Sequence, residues 1–591
     1  MKALSYLKLL LAGSSFWVTT ATAQEQSSPN STYYNPILPG WHSDPSCIHV
    51  NETFFCVTST FISFPGLPIY ASADLIDWKL VSHVWNREAQ IPGASRNTTG
   101  QQLGFYAATL RYHDGFFYVA CPYLGGTDHN LGLIFKTQDP FDQDSWNDPV
   151  YFETTVIDPD LFWDDDGTVY IAQSGVVLQS IDLETGALSP ETPLNVWNGT
   201  GGAYPEGPHL YKKDGWYYLL IAEGGTELNH SITISRSSSV WGPYESYEGN
   251  PLLTARGTDS YFQTVGHGDL FQDEAGNWWG VALSTRCGPA YEIYPMGRET
   301  VLYPVTWAEG EWPILDRIQG IMNGWPLPGS TRNVPGDGPF NSDPDTYDFL
   351  ETGAAIPRNL VYWRVPRDGA FSVTDQGLQI IPSRANLTGS SDLNLTGQEG
   401  LSFIGRRQTD TLFTLSVDLA FNPESAGAEA GITVFLTQEN HIDLGLALLQ
   451  SDDSEEAPQL TLRLRAEAPL VDNPPKASEP LAPVLVSVPS TWASDTAITL
   501  QVQTANETHY RFSAWPSSNP NARIILGTAS AQLVSGGSGT FVGTLVGAYA
   551  TCNGAGEDLD CPEGGNAYVQ NWRYTGSAQA ISAVELVSPT I

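Results

Sequence analysis

Asp44, Asp158 and Glu206 occupy the same register of a repeated hairpin, three or four residues ahead of an aligned strand residue. Ala107 and His267 fill that register in the other two repeats. If this end of each repeat faces a common axis, the five side chains converge on one funnel. Gathering like charges is costly, and such clusters persist where chemistry uses them. Three carboxylic acids around one cavity suit acid and base hydrolysis of an acetal. One acid protonates the leaving oxygen, and one carboxylate activates water on the opposite face of the sugar, about 6.5–9.5 Å away in an inverting arrangement. A third can raise the pKa of the acid by repulsion and orient it. Taken singly, Asp44 in His42-Ser43-Asp44-Pro45-Ser46 and Asp158 in Ile157-Asp158-Pro159-Asp160 read equally well as Asp-Pro turn starters, and Glu206 as a loop acid. Their shared register favours catalysis. Asp164, Asp165 and Asp166 read instead as a solvated turn. His267, between Gly266 and Gly268, could be a core histidine, a donor to sugar hydroxyls or a metal ligand.

The elements that must position these residues are five apolar strands, each turning into an aromatic-rich partner. Cys47-Ile48-His49-Val50 turns at Asn51-Glu52 into Phe54-Phe55, and Leu110-Arg111-Tyr112 turns at Asp114-Gly115 into Phe116-Phe117-Tyr118. Leu161-Phe162-Trp163 turns at Asp166-Gly167, Leu210-Tyr211 at Asp214-Gly215, and Leu270-Phe271 at Ala275-Gly276. Asp-Gly suits a tight hairpin because its central positions need positive φ. Room for two more strands per repeat, as in Ile69-Tyr70-Ala71-Ser72, makes each a four-stranded blade, so a five-bladed β-propeller is expected over residues 24–325, its blades from about residue 30. A Pro- and Gly-rich linker follows over 326–345. Alternation in Phe413–Leu419 and Ile498–Gln503 then predicts half-buried strands of a β-sandwich, jelly-roll or concanavalin-like, over 346–591. The expected fold class is all-β.

The length of 591 residues fits more than one core, and 41% hydrophobic content is enough to build them. Residues 1–23 carry Lys2 and Lys8, an apolar run and the small-x-small end Ala21-Thr22-Ala23, the pattern of a signal peptide. Sequons at Asn30, Asn51, Asn97, Asn198, Asn229, Asn386, Asn394 and Asn506 fit a secreted, extracellular glycoprotein. Cys47 with Cys56 and Cys552 with Cys561 are spaced to bridge short loops, which leaves Cys121 and Cys287 open either to pair over a long range or to stay free. A net charge of -38 argues against nucleic acid and anionic membrane as partners.

At the acidic residues the chain resembles glycoside hydrolase family 43. Asn35 to Ser46 is similar to the opening segment of the family, implying Asp44 as general base. Ile157 to Phe162 resembles the segment of the pKa-modulating aspartate, here Asp158. Glu206 to Tyr211, continuing to Ala222-Glu223-Gly224-Gly225-Thr226, resembles that of the general acid, here Glu206. Met296-Gly297-Arg298-Glu299-Thr300 is similar to a late motif whose arginine, here Arg298, reaches the sugar. Phe403 to Gln408 and Glu429 to Ile432 resemble the appended sandwich. Phe105-Tyr106-Ala107-Ala108-Thr109 departs from the family, which often has tryptophan and proline there. The resemblance implies an exo-acting β-xylosidase or α-L-arabinofuranosidase on arabinoxylan or its oligosaccharides, with endo-arabinanase or a non-catalytic carbohydrate-binding protein as alternatives. Arg298, His267, Phe61, Phe64 and Trp85 are the expected sugar contacts, the aromatics by stacking on the C–H face of a pyranose. No cofactor is required on this reading; the resemblance allows a calcium ion on the axis near His267.

Overall fold

The computed structural model describes residues 30–588, apart from 95–97, 99, 126–129, 191–192, 389–399, 451–456, 469–480, 494, 537–538, 555–560 and 563. The leader over 1–23 and the sequon asparagines Asn97 and Asn394 lie outside the described residues. The protein is all-β, a five-bladed propeller followed by a two-sheet sandwich.

Each blade begins with the strand that follows a register residue, in blades I to III, or carries it, in blades IV and V. Blade I is Ser46–Val50, Thr53–Val57, Gly66–Ser72 and Lys79–Trp85; blade II runs from Thr109–His113 to Val150–Phe152. Blade III runs from Asp160–Trp163 to Leu194–Asn195, blade IV from Glu206–Lys213 to Glu245–Ser246, and blade V from Phe262–Gln272 to Ile314–Leu315. All pairings within blades are antiparallel.

The turns of blades II to V divide into two kinds. Asp114-Gly115 (φ 48° and 83°) and Asp214-Gly215 (φ 53° and 80°) are two-residue turns with both centres left-handed, as Asp-Gly favours. In blades III and V the loop is longer, and only the glycine is left-handed, Gly167 at 85° and Gly276 at 81°. There Gly167 N donates to Asp164 O and Gly276 N to Asp273 O, both at 3.0 Å. This is a turn followed by a glycine bulge, so the tight turns expected at Asp166-Gly167 and Ala275-Gly276 are corrected to wider ones.

The ring is closed by the first described strand. Thr32–Tyr34 pairs with Ile321–Asn323 beyond blade V, and Asn35 bonds Leu302 of blade V through both ends of its side chain, at 2.9 and 2.8 Å. The segment expected as a linker lies along blade I: Leu80 N donates to Pro339 O, and Lys79 Nζ to Val334 O, both at 3.0 Å.

The sandwich packs a nine-stranded sheet against a seven-stranded one. Leu412–Phe421 alternates half-buried and buried as its sequence predicts, turning Phe413, Leu415, Val417 and Leu419 inward. In Ile498–Asn506 the polar face is buried as well, because Thr499 bonds Asp418 and Gln501 accepts from Arg523. The two cores are continuous: Trp41 and Phe61 of the propeller pack with Trp363 and Phe435 of the sandwich. Burying Trp41 alone removes about 200 Å² from water, of order 5 kcal/mol. Disulfides join Cys47 to Cys56 and Cys552 to Cys561. Cys121 and Cys287, whose pairing the sequence leaves open, are free. They belong to blades II and V, and Cys121 sits buried within its blade's core.

Candidate active site

Strand geometry alone brings the five register positions together. Asp44, Ala107, Asp158, Glu206 and His267, one from each blade, line a single cavity of about 350 Å³. Arg298, Phe61, Tyr106, Ile157, Tyr204, Gly225, Thr226, Glu227 and Phe541 complete its wall. Asp44 (φ 52°), Asp158 (φ 58°) and His267 (φ 49°) have left-handed backbones, a conformation that costs of order 1–3 kcal/mol and survives where neighbours over-determine it. The neighbours here do so: Ser59 N donates to Ser43 O (3.0 Å) and Ser174 N to Ile157 O (2.9 Å). Bulges between Glu206 and His209, and on both sides of Gly266, re-aim the acid and His267 within otherwise regular strands.

The three acids have different surroundings. Asp44 is 5% exposed and accepts from Ser59 Oγ at 2.6 Å. Its two oxygens also accept from the Arg298 guanidinium, at 2.9 and 3.3 Å. Burial would raise its pKa, but Arg298, His267 and Ser59 together hold it below the usual carboxylate range. Asp158 accepts from Gly207 N at 3.0 Å and makes no ion pair among the described residues, Arg298 acting on it only from farther away. Burial and the charges of Glu206 and Asp44 push its pKa well up. Glu206 is raised to about 7 by burial, then by Asp44, with Arg298 opposing and Glu227 adding. Near neutrality the site therefore holds one firmly ionised carboxylate, Asp44, beside two carboxyls lifted toward their protonated forms, of which Glu206, at about 7, is poised to give a proton.

Arg298 is fixed from three sides. Besides Asp44 it donates to Thr226 Oγ1 at 3.0 Å and to the backbone oxygen of Phe541 at 3.1 and 3.3 Å. Its guanidinium lies over the rings of Phe61 and Phe541, 5.7 and 5.3 Å from their centroids. Glu299, adjacent in sequence, pairs with Arg286 instead. His267 is buried with its pKa lowered to about 4, burial being the main cause. It is therefore a neutral imidazole, 3.9 Å from Asp44. His230, also neutral with its pKa near 3 through burial, hydrogen-bonds Thr264 O through Nδ1 at 2.9 Å and turns Nε2 toward Glu206 at 3.9 Å.

Two expected sugar contacts are not at the site. Trp85 is 3% exposed and packs between Phe64 and Phe105. It ends the fourth strand of blade I, the one farthest from the axis, so its ring cannot reach the cavity. Phe64 packs on Trp85 and pairs through its backbone with Tyr362 of the sandwich. Phe61 does line the cavity. Sequence reasoning missed Phe541, brought from the sandwich and held by Phe541 N donating to Gln102 Oε1.

Below the cavity a second ring takes one residue from each blade. Arg111 of blade II binds Asp160 of blade III at 2.9 Å, Asp269 of blade V at 2.8 Å and His209 of blade IV at 3.0 Å. Ser46 of blade I donates to Asp269 at 2.6 Å. This ring bears on the calcium that the resemblance allows near His267. Calcium takes six to eight oxygens, yet the carboxylates nearest His267, Asp44 and Asp269, are engaged by Arg298 and Arg111. A guanidinium already supplies the positive charge on the axis, and the donors around His267 do not fit a calcium ion. Among the described residues no group of three or more His, Cys, Asp or Glu is arranged to hold a metal.

Residues 33–313 match the model of "Glycosyl hydrolases family 43" and residues 348–574 that of "Beta xylosidase C-terminal Concanavalin A-like domain". A non-reducing end alpha-L-arabinofuranosidase of Bacteroides ovatus is 34% identical over 562 residues, 94% of this chain and 96% of that protein. A xylosidase/arabinosidase of Humicola insolens is 31% identical, covering 71% of this chain and 78% of its own. Among solved structures, GH43B of a Bacteroides ovatus xyloglucan locus superposes with a TM-score of 0.76 at 33% identity, over 92% of this chain and 99% of that one. A xylan beta-1,4-xylosidase of Bacillus halodurans gives 0.74 at 27% identity, over 92% and 99%.

Proposed function

This chain belongs to glycosyl hydrolase family 43 and is a glycoside hydrolase needing no cofactor, and on that premise we propose that it removes single α-L-arabinofuranosyl or β-1,4-xylosyl residues from the ends or branches of arabinoxylan and its oligosaccharides, with inversion. Asp44 is the general base, Glu206 the general acid and Asp158 the residue that tunes and orients the acid. The observation that carries this reading is the unequal pair, Asp44 held ionised by Arg298 while Glu206 is lifted to about 7. In the reaction, Glu206 gives its proton to the leaving oxygen while Asp44 takes one from the attacking water, so each ends in the other's starting state. Arg298 fixes Asp44, its five N–H donors being taken up by Asp44, Thr226 and the backbone oxygen of Phe541. Phe61 and Phe541 supply apolar wall. A cavity of about 350 Å³ is at the small end of ligand pockets, and Phe541 closes what an endo-acting enzyme would leave as an open cleft.

Export is proposed with it, on the leader pattern of residues 1–23 and on sequons such as Asn51, Asn198 and Asn506, whose asparagines are exposed or half-exposed.

The test is product analysis on arabinoxylan, xylo-oligosaccharides and linear arabinan, with Asp44→Asn alongside, and proton NMR of the anomer formed first. Monosaccharide of inverted configuration from the unmodified chain alone is expected. Oligomeric products, or retained configuration, would contradict the reading.

A further inference from the structure

One aromatic side chain at the cavity is unlike the rest. Tyr204 is 75% exposed, whereas Phe61 is buried and Tyr106 half-buried. It stands two residues before Glu206, on the rim of the same cavity, with a left-handed backbone at φ 51°. An exposed ring on a mobile loop would carry no meaning, but this loop is held in place. Glu223, 1% exposed, accepts from Thr200 N (2.9 Å), Thr200 Oγ1 (2.8 Å), Gly202 N (3.1 Å) and Thr233 Oγ1 (2.8 Å). Gly199 and Gly202 press so closely on this carboxylate that a Cβ would lie 2.2 and 2.8 Å from its side chain. On either side of Tyr204, Gly224 N donates to Ala203 O (2.7 Å) and Gly175 N to Pro205 O (2.8 Å). A buried carboxylate and a run of glycines thus present a large ring to solvent at fixed height, which is how binding loops on rigid scaffolds are built.

The carboxylate of Glu227 shares this rim. A Cβ on Gly225 would lie 3.2 Å from Glu227 Oε2 and 3.7 Å from the Tyr204 ring, so the two side chains flank a gap that glycine leaves open. Glu227 is exposed, and among the described residues its carboxylate makes no hydrogen bond or ion pair.

We propose that Tyr204 and Glu227 form the subsite of the leaving sugar, the ring stacking on its C–H face and the carboxylate accepting its hydroxyls. This rests on Glu206 being the general acid, because the oxygen it protonates joins the departing sugar to the glycone. Whatever lies beside Glu206 on the solvent side then touches the departing ring. An aromatic face complements the C–H face of a pyranose, and an unpaired carboxylate is an acceptor for its hydroxyls. The pair would make the enzyme prefer a carbohydrate leaving group over a small one.

The test compares two substrates of the same glycone, a disaccharide or short oligosaccharide and the glycosyl fluoride, whose leaving group reaches neither residue. For Tyr204→Ala the ratio of kcat/KM on disaccharide to that on fluoride falls at least tenfold, largely through KM. Tyr204→Phe keeps the ratio within about threefold of the unmodified enzyme, and Glu227→Ala lowers it less than Tyr204→Ala. A ratio unchanged in Tyr204→Ala, including an equal loss on both substrates, would overturn the subsite and leave the ring a structural part of the wall. If Glu206→Gln loses as much on the fluoride as on the disaccharide, the acid assignment fails and the subsite falls with it.

Discussion

Ser59 offers a perturbation that leaves the cavity lining intact while altering the proposed base. Its hydroxyl is fully buried and donates to Asp44 Oδ2 at 2.6 Å, and it is absent from the cavity wall. A hydrogen bond to a charged group contributes about 1.5–3 kcal/mol, and about 1.4 kcal/mol corresponds to one pH unit in a titration. Asp44 is held low by Arg298, His267 and Ser59, so it is ionised and active above its pKa and fails as pH falls through it. Removing one donor raises that pKa. Ser59→Ala therefore moves the acidic limb of kcat/KM to higher pH by roughly 1–2 units. The assay is a pH profile between about 3 and 9 on an activated aryl glycoside, which does not depend on the general acid. An acidic limb that stays in place, or moves lower, would refute the claim that this hydroxyl keeps the base ionised.

Further outcomes follow from the same geometry. Phe541→Ala, which removes the wall supplied by the sandwich, raises KM on oligosaccharides about tenfold, corresponding to about 1.5 kcal/mol, the lower end for an apolar side chain because Phe541 is half-buried; steady-state kinetics reads this directly. Gly207→Ala lowers kcat/KM more than tenfold, because its φ is +55°, its N–H serves Asp158, and a Cβ would stand 3.0 Å from the His267 ring. A thiol-reactive chromophore finds two cysteines per chain after unfolding under non-reducing conditions. The native protein reacts slowly, since burial raises the pKa of both Cys121 and Cys287 above the range in which thiolates form readily.

The propeller and its acids were legible because they repeat. Turn residues recur at a fixed offset from apolar strands, and the offset that aligns the turns also aligns Asp44, Asp158, Glu206 and His267 at one cavity. The same register, carried two to four residues further, holds Ser46, Arg111, Asp160, His209 and Asp269, so the second ring had a signal that went unused. Phe64 and Trp85 failed for a different reason. Aromatic character near a motif says nothing about which strand of a blade carries the ring, and Trp85 stands on the outermost. Phe541 was beyond reach, since its place is set by contacts with Gln102 and Arg298 far away in sequence. Whether Cys121 pairs with Cys287 could not be read from the sequence, since elimination among six cysteines carries no geometry.

The central claim is the division of roles between Asp44 and Glu206, and the most direct measurement is the dependence of kcat/KM on leaving-group pKa for the unmodified enzyme, Glu206→Gln and Asp44→Asn. The account predicts that Glu206→Gln loses about 10²–10⁴-fold on poor leaving groups while keeping most activity on activated aryl glycosides, and that Asp44→Asn loses activity on both. Equal losses across the series for Glu206→Gln, or substantial activity in Asp44→Asn, would contradict it.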